Sequence, residues 1–401
     1  MLTLGAESLD FRNISSTDPF LVTVSTNDTL PRPLRTTRAF LSQATPNTPL
    51  PDGFQLYIFV GPRDAKLADQ IGSRPAVILP EGFSYLGEAD VIRVSPHRRG
   101  VRALYRHSVE FNSILLTEQC NNYCLMCSQP PKTADDSWLI DEVLRLIPLI
   151  DPDARELCFS GGEPTLLGSG LIRILKQAKS WLPRTAVHVL SNGRRFADID
   201  FARDYASIDH HDIMVGIPLY SDLSTQHDYV VQADGAFDET IRGILNLKRL
   251  NARVEVRVVI HKQTYKRLPE LAEFLARNLL FVDHVALMGL ELTGFTKANL
   301  AQLWIDPYDY QDELEKATLY LARHRMNVSI YNHQLCVLKP DLWAFARKSI
   351  SEWKNEYLPQ CDGCAVRSEC GGFFSSGMAK PSVHIQPFST TASPVTNIVL
   401  A

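Results

Sequence analysis

The chain has 401 residues, 45% of them apolar and 21% charged, with a formal net charge of −4 at pH 7, the composition of a soluble protein with one large domain and two smaller appendages. The mild acidic balance gives no support for nucleic-acid binding, which calls for a basic face or stripe, and the interrupted basic stretches Arg98–Arg102 and Lys262–Arg267 read as solvated faces. No run of about 18 apolar residues is available to span a bilayer, and the N-terminus lacks the charged start and apolar middle of a signal peptide.

Residues 1–110 contain no cysteine. Pro31, Pro33, Pro46, Pro49 and Pro51 break any long helix between Thr29 and Gly53. The runs Phe54–Val60 and Ala76–Leu79 then predict strands of a small β-rich or mixed domain. Its role is not legible: it can cap the following domain, dock a peptide by strand addition or stabilise the protein.

Over residues 111–330 strand-like apolar runs alternate with amphipathic helical stretches, the pattern of repeated βα units around a parallel sheet. Six strands are expected at Ser113–Thr117, Glu156–Ser160, Ala186–Leu190, Asp212–Tyr220, Arg253–His261 and His284–Leu290. Helices are expected at Trp138–Ile150, Gly170–Leu182, Phe237–Leu250, Leu268–Asn278 and Tyr308–His324. The segment between the third and fourth strands has no clear period. In barrels of this kind the loops after the strand C-termini build the active site, and three motifs fall there.

The first is Cys120-Asn121-Asn122-Tyr123-Cys124-Leu125-Met126-Cys127. Four cysteines normally hold an iron–sulfur cluster, so three on one short loop imply an iron with an open position for a ligand. A structural zinc site is the alternative, although zinc loops usually pair CxxC elements around a tetrahedral ion. The second motif is Gly161-Gly162-Glu163-Pro164, two permissive glycines and a carboxylate at a strand end. Alone such a turn is an ordinary loop; one helix and one strand beyond the cysteines, it is a candidate site. The third is Ser191-Asn192-Gly193, which reads either as a strand-ending turn or as a hydroxyl and an amide placed to hydrogen-bond a ligand. His227 and Asp228, in Gln226–Tyr229, read as loop hydrogen-bonders rather than catalysts.

Residues 331–378 hold the second cysteine group, Cys336 with Cys361, Cys364 and Cys370, a full set of four for a closed cluster or a structural zinc. The remaining cysteine, Cys158, sits in the second barrel strand as a small buried residue. Grouped thiols of this kind suit a reducing, cytoplasmic location. The tail, 379–401, is rich in Ser, Thr, Pro and Ala and is expected to be loosely ordered.

The CxxxCxxC, GGEP and SNG motifs resemble those of the radical S-adenosylmethionine (SAM) superfamily. The resemblance covers roughly residues 112–375 and implies an α/β fold, a partial (β/α)6 TIM-like barrel opened at one side, with a C-terminal cysteine-rich extension similar to the twitch or SPASM type. It implies a 4Fe-4S cluster on Cys120, Cys124 and Cys127 whose open iron binds SAM. Gly161, Gly162, Glu163 and Pro164 would meet the methionine ammonium, and Ser191 and Asn192 the ribose. Cys336, Cys361, Cys364 and Cys370 would hold an auxiliary 4Fe-4S cluster. Met126 departs from the family, where an aromatic residue usually precedes the last cysteine, although a soft side chain can still pack beside adenine.

The string LTEQCNNYCLMCSQPPK over Leu116–Lys132 and the Cys361–Phe374 knot most resemble the His-Xaa-Ser system radical SAM maturases, HxsC. That resemblance implies reductive cleavage of SAM to methionine and a 5′-deoxyadenosyl radical, which takes a hydrogen atom from a ribosomally made His-Xaa-Ser repeat peptide. The implied partners are that precursor peptide, a second radical SAM maturase and a flavodoxin- or ferredoxin-like electron donor. Two other readings stay open: an enzyme of small-molecule cofactor biosynthesis, and a non-catalytic cluster-bearing partner that presents peptide to the second maturase. A zinc-binding interaction module is a third.

Overall fold

The computed structural model describes residues 4–42, 49–61, 69–349 and 355–389; Pro46 and residues 390–401 of the tail lie outside them. The chain divides into two compact units, Met1–Ile114 with Trp138–Leu157 and Ile174–Ala186, and Leu115–Ser137 with Cys158–Arg173 and Val187–Ala401.

The first unit is built on a mixed sheet of eight strands: β1 (Gly5–Ala6), β2 (Asp10–Arg12), β3 (Phe20–Ser25), β4 (Arg38–Leu41), β5 (Leu56–Val60), β6 (Ala76–Leu79), β7 (Val91–Ser95) and β8 (Gly100–Tyr105). They lie in the order β1-β8-β7-β3-β4-β5-β6-β2. The ladders β3–β4, β4–β5 and β5–β6 are parallel, and the others antiparallel. Successive side chains of a strand point to opposite faces, so Leu56 and Ile58 enter one apolar cluster with Val22, Val24 and Val77. Tyr57 and Phe59 enter a second cluster with Phe40, Phe54 and Ile78. The sheet is thus buried on both faces, which explains the unbroken apolar run of β5. Helix α1 (Trp138–Leu146), also in this unit, buries Leu139, Val143 and Leu146 on one stripe.

The second sheet has seven strands: β9 (Phe111–Leu115), β10 (Glu156–Ser160), β11 (Ala186–Leu190), β12 (Ile213–Pro218), β13 (Arg253–Ile260), β14 (His284–Gly289) and β15 (Val328–Tyr331), in the order β15-β14-β13-β12-β11-β10-β9. All ladders from β11 to β15 are parallel. A strand order that follows chain order is that of a singly wound, partly opened barrel, and the mixed α/β architecture agrees with the expectation. The six expected strands are present, within a residue or two at their ends. β15 is a seventh, too short at four residues to stand out by period, and it pairs with β14 from Val285↔Val328 to Met288↔Tyr331.

Connecting helices are α2 (Ser169–Trp181), α3 (Ile199–Ala206), α4 (Ser224–Val231), α5 (Ala236–Arg249), α6 (Leu268–Asn278) and α7 (Gln311–Arg323). α3 fills the segment without a clear period; Asp198 caps it by accepting a hydrogen bond from Asp200 N. α5 carries Asp238 and Glu239 in its first turn and Lys248 and Arg249 in its last, charges that match the helix dipole.

Beyond β15 the chain runs in short 3-10 turns. Residues 377–389 form a strap over the segment 304–308. Lys380 Nζ lies 4.3 Å above the Trp304 ring, Val383 N donates to Asp306 at 3.2 Å, and His384 stacks on Tyr308 at 3.9 Å. Among the described residues, no helix is long and apolar enough to cross a membrane.

Candidate functional site

The cysteine loop leaves β9 and is fixed at its base by a buried carboxylate. Asp136 accepts from Thr117 Oγ1 at 3.0 Å and from Glu118 N at 2.5 Å, while Gln119 N donates to Thr117 Oγ1 at 3.0 Å. Further along, Tyr123 N and Leu125 N donate to the carbonyls of Val231 and Val230 at the end of α4, both at 2.9 Å. Asn299 Nδ2 reaches Leu125 O at 2.8 Å, and Phe295 N reaches Cys127 O at 2.8 Å. Gly294 precedes that contact at a φ of +51°, where a Cβ would stand 2.2 Å from Cys127 O. The loop is therefore held mainly by its backbone; of the sulfurs, Cys127 Sγ donates to Gln129 O at 2.9 Å and Cys120 Sγ accepts from Asn122 N at 3.4 Å.

Gly161 and Gly162 have no left-handed φ; they are required for a different reason. A Cβ on Gly161 would lie 2.3 Å from Thr117 O, and one on Gly162 would lie 2.1 Å from Gln119 O. The turn after β10 presses its backbone onto that of the cysteine loop, and Gly162 N and Glu163 N donate to Thr117 O and Gln119 O at 2.8 and 2.7 Å.

Glu163 is buried and gathers four donors. Oε1 accepts from Thr165 N at 3.0 Å, Thr165 Oγ1 at 2.5 Å and Ser191 Oγ at 2.7 Å, and Oε2 accepts from Asn192 N at 2.6 Å. Burial pushes its pKa up and these hydrogen bonds oppose the rise. The carboxylate thus ties the turn after β10 to the turn after β11. From the latter, Asn192 Nδ2 donates to Asn121 Oδ1 at 2.6 Å, and Thr240 Oγ1 on α5 donates to Asn192 O at 3.1 Å.

Two arginines complete the site and were not singled out from sequence. Arg194 donates to Asn121 O at 2.8 Å, to Asn122 Oδ1 at 2.7 Å and to Glu239 at 2.6 Å, clamping the cysteine loop from the outside. Arg257, on β13, lines the cleft and donates to Glu255 Oε1 at 2.9 Å. Gly216 makes room for it: a Cβ there would lie 3.0 Å from the Arg257 side chain.

Cys120, Cys124 and Cys127 converge on one cleft of about 280 Å³, lined also by Met126, Gly161, Gly162, Ser191, Asn192, Tyr220 and Arg257. Glu163 and Pro164 are buried and do not line it. Burial raises all three thiols, Cys120 to about 11 and Cys124 to about 12, so without a cation they stay protonated; bound iron reverses that preference. Three thiols at one end of a cleft, with no fourth cysteine lining it among the described residues, fit a cluster with one open iron and SAM beside it. Among the described residues no three His, Cys, Asp or Glu side chains meet at single-ion distance; a cuboidal cluster, where each thiolate binds its own iron, asks for no such meeting.

The second cysteine group also comes together. Cys336, Cys361, Cys364 and Cys370 line one small cavity with Tyr357, Phe373, Ile385 and Phe388, although Cys336 lies far off in sequence. Phe388 N points at Cys364 Sγ at 3.4 Å, and Tyr357 Oη donates to Cys370 O at 2.7 Å. His227 is buried, with Nδ1 accepting from Tyr220 N at 3.3 Å. Asp228 accepts from Gly235 N and Phe237 N at 2.7 and 2.8 Å; it and His227 lie on helix α4 rather than on the expected loop, and Asp228 reaches from there to tie down the start of α5.

Inside the barrel Glu255 faces Arg257 and His284, whose Nδ1 lies 2.6 Å from Oε2, with His188 Nε2 at 3.7 Å. Burial pushes Glu255 up, but the His284 hydrogen bond and the Arg257 charge prevail and hold it at about 2. Burial lowers His188, His227, His261 and His333 to about 4. The signs agree. The histidines support a fold that is fully stable above their ordinary 6.5 and weakens as pH falls towards 4. Glu255 contributes stability above its ordinary 4.5 that is lost as pH falls towards 2. Glu255→Gln is expected to cost about 3 kcal/mol at neutral pH and to flatten the acid limb below 4.5; thermal melting across pH measures both.

Residues 114–275 match the family described as the Radical SAM superfamily. No curated protein matches the sequence. Among solved structures, the chain is similar to Streptococcus suis SuiB bound to S-adenosylmethionine, at 17% identity and a TM-score of 0.46, over 58% of this chain and 53% of that one. It is also similar to anSMEcpe with bound AdoMet and the Cp18Cys peptide, at 16% identity and a TM-score of 0.43, over 54% and 62%. A third is coproporphyrinogen III oxidase, HemN, from Escherichia coli, described as a radical SAM enzyme, at 14% identity and a TM-score of 0.41, over 53% and 52%. The chain spans about half the length of SuiB.

Proposed function

We propose that this chain, which carries a radical SAM domain, cleaves SAM reductively and uses the resulting radical to modify a ribosomally synthesised peptide of the His-Xaa-Ser repeat type. The observation that carries the reading is the convergence of Cys120, Cys124 and Cys127 on one cleft with the Gly161–Gly162 and Ser191–Asn192 turns. When bound, the cluster and SAM together supply one-electron cleavage of a carbon–sulfur bond, giving methionine and a 5′-deoxyadenosyl radical that takes hydrogen from the peptide.

The protein's own part is placement and dryness. The three thiolates would hold the cluster, Gly161 and Gly162 in the cleft would meet the methionine end of SAM while the buried Glu163 ties that turn to Ser191 and Asn192, and these two would face the ribose. Met126 and Tyr220 line the cleft and pack on Val230 and Val231, an apolar wall that would disfavour water beside bound SAM. The Cys336, Cys361, Cys364 and Cys370 set holds an auxiliary 4Fe-4S cluster. A flavodoxin- or ferredoxin-like protein supplies the electron, and a second radical SAM maturase works on the same peptide in the cytoplasm.

The test is anaerobic incubation of cluster-reconstituted protein with SAM, reductant and a His-Xaa-Ser repeat precursor peptide, followed by mass spectrometry. 5′-Deoxyadenosine together with a mass change in the peptide is the expected result; SAM that binds but is never cleaved overturns the reading. Cys364→Ala is expected to keep uncoupled SAM cleavage within about twofold while lowering peptide modification by at least about tenfold. Normal modification by that variant would make the second cysteine group purely structural.

A further inference from the structure

Three cavities follow one another across the open end of the barrel. The thiol cleft shares Gly289, Leu290 and Asn332 with a neighbouring slot. That slot in turn shares Gln334, Gly372 and Phe373 with the cavity of the four C-terminal cysteines. Its lining combines the apolar Ile260, Leu292, Ile305 and Phe374 with the glycines Gly371, Gly372 and Gly377.

Asn332, at the junction with the thiol cleft, is held at a φ of +62°, a left-handed conformation that asparagine adopts more readily than most residues. Gly289 permits that fold-back, since a Cβ there would meet Asn332 O at 2.5 Å.

The slot carries one cation and no carboxylate among its described lining residues. The cation is Lys380, delivered by the strap and held over the Trp304 ring at 4.3 Å. A cation lining a slot that holds no carboxylate, among hydrogen-bonding groups such as Asn332, Gln334 and Ser382, selects an anionic group.

We infer that this slot is the substrate subsite and that Lys380 binds a carboxylate of the peptide, leaving the residue to be modified lying over Asn332 towards the thiol cleft. The inference rests on the peptide-modifying reading above and adds the charge that the peptide must carry. That carboxylate belongs either to an acidic side chain or to a free C-terminus.

The test uses the cluster-reconstituted full chain and fluorescently labelled His-Xaa-Ser repeat peptides in three forms: an internal Glu with an amidated end, an internal Gln with a free end, and Gln with an amidated end. Fluorescence anisotropy gives each Kd with wild type, Lys380→Met and Lys380→Arg. Methionine keeps the stem packed on Trp304 and removes only the charge. Wild type should bind one carboxylate form about tenfold more tightly than the neutral form, and the form preferred identifies the source. Lys380→Met should erase that preference and Lys380→Arg should retain it. Equal affinity of wild type for all three peptides, or an undiminished preference in Lys380→Met, overturns the inference. Failure of the enzymatic reading appears separately, as absence of 5′-deoxyadenosine from wild type whatever the binding result.

Discussion

Cys124→Ala is expected to abolish SAM cleavage, lowering the rate of 5′-deoxyadenosine formation by at least about a thousandfold, and to reduce bound iron from about eight to about four atoms per chain. The partly buried Cys124 lines the cleft beside Cys120 and Cys127, and its replacement leaves two thiols for a cluster that needs three. The fold should survive the change. The loop around Cys124 is carried by Tyr123 N and Leu125 N on the carbonyls of α4 and by Asn299 on Leu125 O, none of which uses the sulfur. A melting temperature within a few degrees of wild type, together with halved iron and lost cleavage, separates loss of the cluster from loss of structure. Iron analysis of anaerobically purified protein also decides between metals: zinc in place of iron, or full iron with full activity in Cys124→Ala, is incompatible with the assignment.

Most of the barrel was legible because its strands alternate fully buried apolar residues with less buried ones, as Leu157 and Phe159 on β10 and Val187 and Val189 on β11 do, and its helices carry one apolar stripe. Such segments announce their period, as in Ile244 and Leu247 on α5. β15 escaped because four residues cannot establish a period, and α3 because its apolar positions are spread over only two turns. The eight-stranded sheet of the first unit was legible only as a texture. β1 and β2 have two and three residues and exist through pairing with β8 and β6, information that a local window does not contain.

The site divides in the same way. Cysteines, paired glycines and the Ser-Asn-Gly turn are visible because their chemistry is local. Arg194 and Arg257 were missed although each left a signal. Arg194 directly follows the Ser-Asn-Gly turn, and Arg257 with Glu255 interrupts an otherwise apolar strand, which only mutual pairing inside the barrel can sustain. The role of Gly161 and Gly162 was also legible only in three dimensions. Sequence suggested unusual backbone angles, whereas the structure gives ordinary ones and a contact between two backbones.

That contact makes Gly162→Ala the second large expected effect. The added methyl carbon would stand 2.1 Å from Gln119 O, 2.6 Å from Gln119 C and 3.0 Å from Glu118 C, all main-chain atoms that no rotamer change can withdraw. Neither side has slack. Gln119 is held by its N–H on Thr117 Oγ1 and Glu118 by its N–H on Asp136, while Gly162 and Glu163 are joined to the same loop by two backbone hydrogen bonds. The two turns must part, at a cost of about 3 kcal/mol, and parting them pulls Glu163 from Ser191 and Asn192. Gly162→Ala is therefore expected to lower the melting temperature by several degrees, as about 3 kcal/mol does in a protein of this size. It should also abolish SAM cleavage with all three cysteines of the loop still in place. Gly87→Ala, whose Cβ would meet nothing within 4 Å, supplies the matched control and should change neither quantity. A Gly162→Ala protein that cleaves SAM at the wild-type rate would mean that the cysteine loop and the glycine turn are not in backbone contact in the working enzyme.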